Sequence, residues 1–117
     1  MDIQKEIQEA LTILTISRKD QLADFTTIVS HVDEGHENMI LDLSEINSLC
    51  DITSITLELI QNSRDNIDKS LVICGVDKSL QSNLEEKFGK DFFNIVPTRN
   101  EAVDMVYMEE QERSFFN

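Results

Sequence analysis

Met39-Ile40-Leu41-Asp42-Leu43-Ser44-Glu45-Ile46 is followed, three residues later, by Cys50-Asp51-Ile52-Thr53-Ser54-Ile55. The apolar run from Met39 to Leu43 is too brief for an independent helix and reads as a strand covered on both faces. A loop from Ser44 to Cys50 then delivers the chain to Asp51. There an acidic N-cap opens a helix carrying Ile52, Ile55, Leu59 and Ile60, and the helix continues to about Asn66. Asp42 stands out as a carboxylate embedded in an apolar strand. Its expected role is structural, as a hydrogen-bond acceptor for the loop or helix that follows.

Downstream, Leu71 to Gly75 reads as a second buried strand, and Asp77 or Ser79 opens a helix with Leu80, Leu84 and Phe88 on one side. Gly89 sits where a left-handed residue closes that helix. Phe92 to Val96 is the last expected strand, stopped by Pro97. Thr98-Arg99-Asn100-Glu101 has capping-box spacing and starts a final helix with Ala102, Val103, Val106 and Tyr107 as its apolar stripe. The acidic run Glu109 to Glu112 is expected to be a solvated end, with Phe115 and Phe116 either docked or hanging free.

Upstream, the β-branched, uncharged segment Ala10 to Ile16 suits a strand. Ile3 to Ile7 fits an edge strand beside it, but also a short helix or a loop. From Asp20, the positions Leu22, Phe25, Ile28, Val29 and Val32 form a helical stripe that stops at Gly35. Strands alternating with helices predict an α/β fold in one domain spanning residues 1–117. Its sheet is mixed but mostly parallel, with four to five strands and about four helices.

Ten basic residues against 23 acidic ones give a net charge of −13. That is the wrong sign for nucleic acid or an anionic membrane. No apolar run approaches the length of a membrane span, and the first residues do not have the order of a signal peptide, so the expected location is the cytoplasm. Two cysteines, Cys50 and Cys74, form no disulfide framework and are expected as small buried thiols. With three glycines the chain holds no Walker loop and no dinucleotide fingerprint, and it has no nucleophile elbow. His31, Asp33, Glu34, His36 and Glu37 cluster across an expected helix end without diagnostic metal spacing. Neither a metal nor a cofactor is expected, and neither is catalysis.

The stretch from Met39 to Ile55 resembles the signature of the STAS domain of bacterial anti-sigma factor antagonists. In that family a strand ending in Asp and a small polar residue leads through a short loop to Asp-Ser-Ser-Gly-Leu, whose second Ser is phosphorylated. This sequence keeps the strand Asp at Asp42, the helix-opening Asp at Asp51 and an aliphatic residue at Ile55. Leu71 to Val76 and Phe93 to Val103 are similar to the family's following strand and its closing strand and helix.

The resemblance implies a protein-binding module that regulates transcription by partner switching. The partner would be an anti-sigma factor kinase or another STAS protein. The binding surface would centre on Asp51, Ile52, Thr53 and Ser54, with Thr53 at the phosphorylated position. Ile52, Thr53 and Ser54 depart from the family's Ser, Ser and Gly. A constitutive scaffold without phosphorylation, or a domain sensing a small ligand, is therefore the rival expectation.

Overall fold

The computed structural model describes residues 4–9, 11–17, 28, 30, 38–46 and 51–116. Within them the elements run β1 Gln4–Gln8, β2 Leu11–Thr15, β3 Asn38–Asp42, α1 Asp51–Asn66, β4 Leu71–Cys74, α2 Lys78–Phe88, β5 Asn94–Val96 and α3 Arg99–Phe116. Together they make an α/β fold with a five-stranded, mostly parallel sheet and three described helices. The expected helix from Asp20 to Gly35 lies outside the described residues, apart from buried Ile28 and exposed Ser30. His31, Asp33, Glu34, His36, Glu37 and Cys50 also lie outside them.

The strands are ordered in space as in sequence, β1-β2-β3-β4-β5. β1 runs antiparallel to β2, and every later pair is parallel. The first segment is thus an edge strand from Gln4 to Gln8, which settles the three-way choice for the described part of that stretch. Parallel strands need a crossover between them, and α1 and α2 are the described crossovers.

The register sorts the side chains into two faces. Thr12, Leu14, Met39, Leu41, Leu71 and Ile73 share the face covered by α1 and α2, where Leu57, Ile60, Leu80 and Leu84 complete the larger core. Leu11, Ile13, Ile40, Val72 and Cys74 occupy the other face beneath Ala102 and Val106 of α3. Burial on both sides explains why β2, β3 and β4 contain so little polar sequence.

Asp77, rather than Ser79, caps α2, accepting from the Leu80 amide at 2.7 Å. Thr98 caps α3 by accepting from the Glu101 amide at 3.2 Å. The last strand is shorter than expected because Phe92 and Phe93 leave the ladder. They pack with Phe88 in a trio whose ring centroids are 4.7 to 5.5 Å apart, Phe92 stacked on Phe88 and Phe93 edge-on to both, a separation at which aromatic pairs contribute beyond their buried area.

Three expectations about helix faces are corrected. Ile55 and Leu59 of α1 point outward, and so does Tyr107 of α3. Glu109 and Glu110 are not a solvated end. They join a polar network because α3 lays its last turns across the ends of β3 and β5.

Candidate functional site

The site begins at the carboxyl ends of the parallel strands, where Thr15, Asp42 and Cys74 lie side by side in one row of the sheet. Asp42 accepts from the Ser44 amide through Oδ1 at 2.9 Å, which turns the chain out of β3 toward α1. The turn is fixed further by the Leu43 amide donating to the Cys74 carbonyl and the Ile46 amide donating to the Leu43 carbonyl, each at 3.0 Å. Ser44 and Glu45 are exposed at its tip, while Ile46 anchors it in the core.

A second partner for Asp42 comes from far along the chain. Arg99, the first residue of α3, donates from Nε to Asp42 Oδ2 at 2.7 Å and from Nη2 to Thr15 Oγ1 at 2.6 Å. Glu6 of β1 faces the same guanidinium at 3.9 Å. Burial pushes the Asp42 carboxyl up, but the Ser44 and Arg99 hydrogen bonds and the Arg99 charge together outweigh it and hold the group below its ordinary value. Asp42 therefore stays ionised as an anchor. It has none of the upward pKa shift that a carboxyl acting as a general acid would need.

The same row disarms Cys74. Burial, joined by the neighbouring Asp42 charge and opposed by Arg99, pushes its thiol up to about 11. A thiol at that value is almost wholly protonated near neutrality and is a poor nucleophile.

Gly75 follows Cys74 with φ of +79°. A β-carbon there would stand 2.9 Å from Asp42 Oδ1 and 3.1 Å from the Ser44 nitrogen. The glycine is thus required both by backbone conformation and by the close approach of the turn.

The inward face of α1 mixes Leu57 and Ile60 with polar residues. Thr53, Ser54 and Thr56 are at most 4% exposed, and Gln61 and Arg64 are also buried. Ile55 and Leu59, in contrast, are 58% and 45% exposed. Thr53, Thr56 and Arg64 all have interaction partners, as buried polar groups require. Of the four residues expected at the binding surface, Thr53 and Ser54 face inward, and the side chains of Asp51 and Ile52 lie outside the described atoms. The outward neighbours Ile55 and Leu59 form an apolar pair one helical turn apart.

Beside β1, Gln4, Lys5, Glu6, Ile13, Thr15 and Arg99 line a recess of 150 Å³. Pockets for drug-sized ligands begin at about 300 Å³. Among the described residues no group of His, Cys, Asp and Glu is arranged to hold a metal, and no helix is long and apolar enough to cross a membrane.

The described architecture superposes on solved structures. RsbS of Moorella thermoacetica, a STAS-domain anti-sigma factor antagonist solved as a serine-to-glutamate variant, superposes with a TM-score of 0.80. The match covers 95% of this chain and 99% of RsbS at 9% identity. The fold is that of a STAS domain.

Two further structures agree with the STAS assignment. The protein TM1081 gives a TM-score of 0.76 at 15% identity, over 88% of this chain and 86% of its own. A chain of the stressosome, a signal integration and transduction hub, gives 0.74 at 9% identity, over 89% and 96%. No family model matches the sequence, and no curated protein matches it. At such low identity the likeness carries the architecture alone.

Proposed function

We propose that this STAS domain is a non-catalytic protein-binding module of the anti-sigma factor antagonist kind, serving transcription regulation. Its partner, an anti-sigma factor kinase or another STAS protein, docks on the region of Asp51, Ile52, Thr53 and Ser54. The observation that carries this reading is the outward face of α1. Ile55 and Leu59 are presented to solvent in the first half of the helix, on a side where a folded domain normally places polar residues. Likeness to RsbS and to a stressosome chain supports the same reading.

Partner switching would run through Thr53, since phosphate there adds a charge of about −2 at the first turn of α1. Thr53 is only 4% exposed, however, so a kinase reaches its hydroxyl only after that turn opens. That observation favours a second reading, in which the module binds constitutively as a scaffold and is never phosphorylated.

Calorimetry with an anti-sigma factor kinase of the native organism, followed by ATP and mass spectrometry, tests both. A complex that Ile55→Glu or Leu59→Glu weakens at least tenfold supports the docking face. Phosphate on Thr53 with release of the partner establishes switching, and a complex indifferent to ATP establishes the scaffold. If neither that kinase nor any STAS protein of the native organism binds, the proposal fails.

A further inference from the structure

α3 is the longest described helix, and it is held to the sheet at both ends. Arg99 ties its first turn to Asp42 and Thr15. Near the other end, Arg113 donates from Nη1 to Ser70 Oγ at 3.1 Å and from Nη2 to Asn38 Oδ1 at 3.1 Å and Glu110 Oε1 at 2.7 Å. Between these fastenings Ala102 and Val106 are wholly buried.

Among the described residues, the opposite side of the helix is the more open one. Tyr107 is 38% exposed, Met108 53% and Phe115 83%. Tyr107, Gln111 and Phe115 follow one another at helical spacing and, with Glu110 and Ser114, line an open groove of 450 Å³.

Glu110 is balanced by Lys69 at 3.6 Å and Arg113 at 2.7 Å, but the other charges described along the outer side of the helix are acidic. Glu101, Asp104 and Glu112 are exposed beside it. The helix has two basic residues, Arg99 and Arg113, and both are drawn toward the sheet by the bonds just given. A second copy of a chain of net charge −13 would bring more negative charge against this face. A lysine- or arginine-rich segment with apolar anchors matches it in both respects.

We propose that the outer face of α3 is a second docking surface, occupied by a basic amphipathic helical segment of a partner protein. The helix offers about 27 Å of length, enough for roughly four to five turns of such a segment. Because both ends of α3 are already fixed, docking orders little that is free beforehand. The surface lies across the sheet from α1, so its occupant does not compete with one bound at Ile55 and Leu59.

The test uses a fluorescently labelled 18-residue amphipathic peptide of lysine and leucine, with a glutamate and leucine peptide as control. Anisotropy and amide chemical-shift mapping are recorded on the full chain. The lysine peptide is expected to bind, to shift resonances between Glu101 and Phe115, and to bind at least fivefold more weakly to the charge-neutral variant Met108→Ser/Phe115→Ser. Ile55→Glu should leave that affinity within twofold of its starting value. Equal affinity for the serine variant, shifts mapped elsewhere, or no binding each overturns the proposal. So does a dimer in sedimentation that Met108→Ser/Phe115→Ser dissociates.

Discussion

Arg99 Nε and Asp42 Oδ2 stand 2.7 Å apart, although 57 residues separate them in sequence. The pair joins the start of α3 to the strand that leads into α1. Asp42 is the buried member, with its side chain 10% exposed, while the Arg99 side chain is 40% exposed. Removing the arginine strands a buried carboxylate. Fully buried pairs broken in this way cost about 3–5 kcal/mol, and the partial exposure here lowers the expectation for Arg99→Ala to about 2 kcal/mol. Urea unfolding should show that loss, and Arg99→Lys should recover only part of it because the fork to Asp42 and Thr15 is gone. A loss under about 0.5 kcal/mol would mean that the pair is fully screened.

Acid should unfold the domain through two carboxylates. Asp42 is held below its ordinary 3.8 by bonds that outweigh its burial. Glu110 is held below 4.5 by hydrogen bonds from Asn38 and Arg113 and by the charges of Lys69 and Arg113, against its desolvation. A depressed folded-state value means that the unfolded chain takes up the proton first. The stabilisation is therefore complete above about pH 5 and is lost as pH falls through the ordinary values to the depressed ones. Melting temperature should fall with acidification across that window, and Asp42→Asn/Glu110→Gln should flatten the fall while lowering the plateau at neutral pH.

Gly75→Ala should destabilise by about 2 kcal/mol or more, through positive φ and the clash with Asp42 Oδ1 together. Thermal unfolding measures it. Because the clash falls on the β3 to α1 turn, amide exchange at Ser44 should quicken before exchange at Leu84 does.

Cys74 should be nearly inert to iodoacetamide at pH 8 in a Cys50→Ser background and should react quickly in denaturant. Its thiol is pushed up to about 11 and is 1% exposed. Rapid native labelling would show that the row beneath α3 opens readily.

The strands and caps are legible in the sequence because their causes are local. Short apolar runs mark β3 and β4, a β-branched one marks β2, and Asp77 and Thr98 sit where orphan amides need acceptors. The inward face of α1 is not legible by apolar periodicity. It is regular in spacing at Thr53, Thr56, Leu57, Ile60, Gln61 and Arg64, but four of those six are polar. The apolar stripe read from Ile52, Ile55, Leu59 and Ile60 therefore mixes two sides of the helix.

Arg99 escaped notice because nothing local distinguishes a paired arginine from a solvated one. Glu109 and Glu110 look like a charged tail for the same reason. Their partners Ser70 and Asn38 lie 39 and 72 residues away, so only the folded sheet brings them together.

Because α3 covers Leu11, Ile13, Ile40, Val72 and Cys74 and follows every strand, the order of synthesis matters. A ribosome adding about 5–20 residues per second leaves that side of the sheet bare for on the order of a second or more after β5 is made. For that interval the nascent domain is a substrate for chaperones, and for aggregation where they are scarce. A chain truncated just past Pro97 and released would keep that side bare.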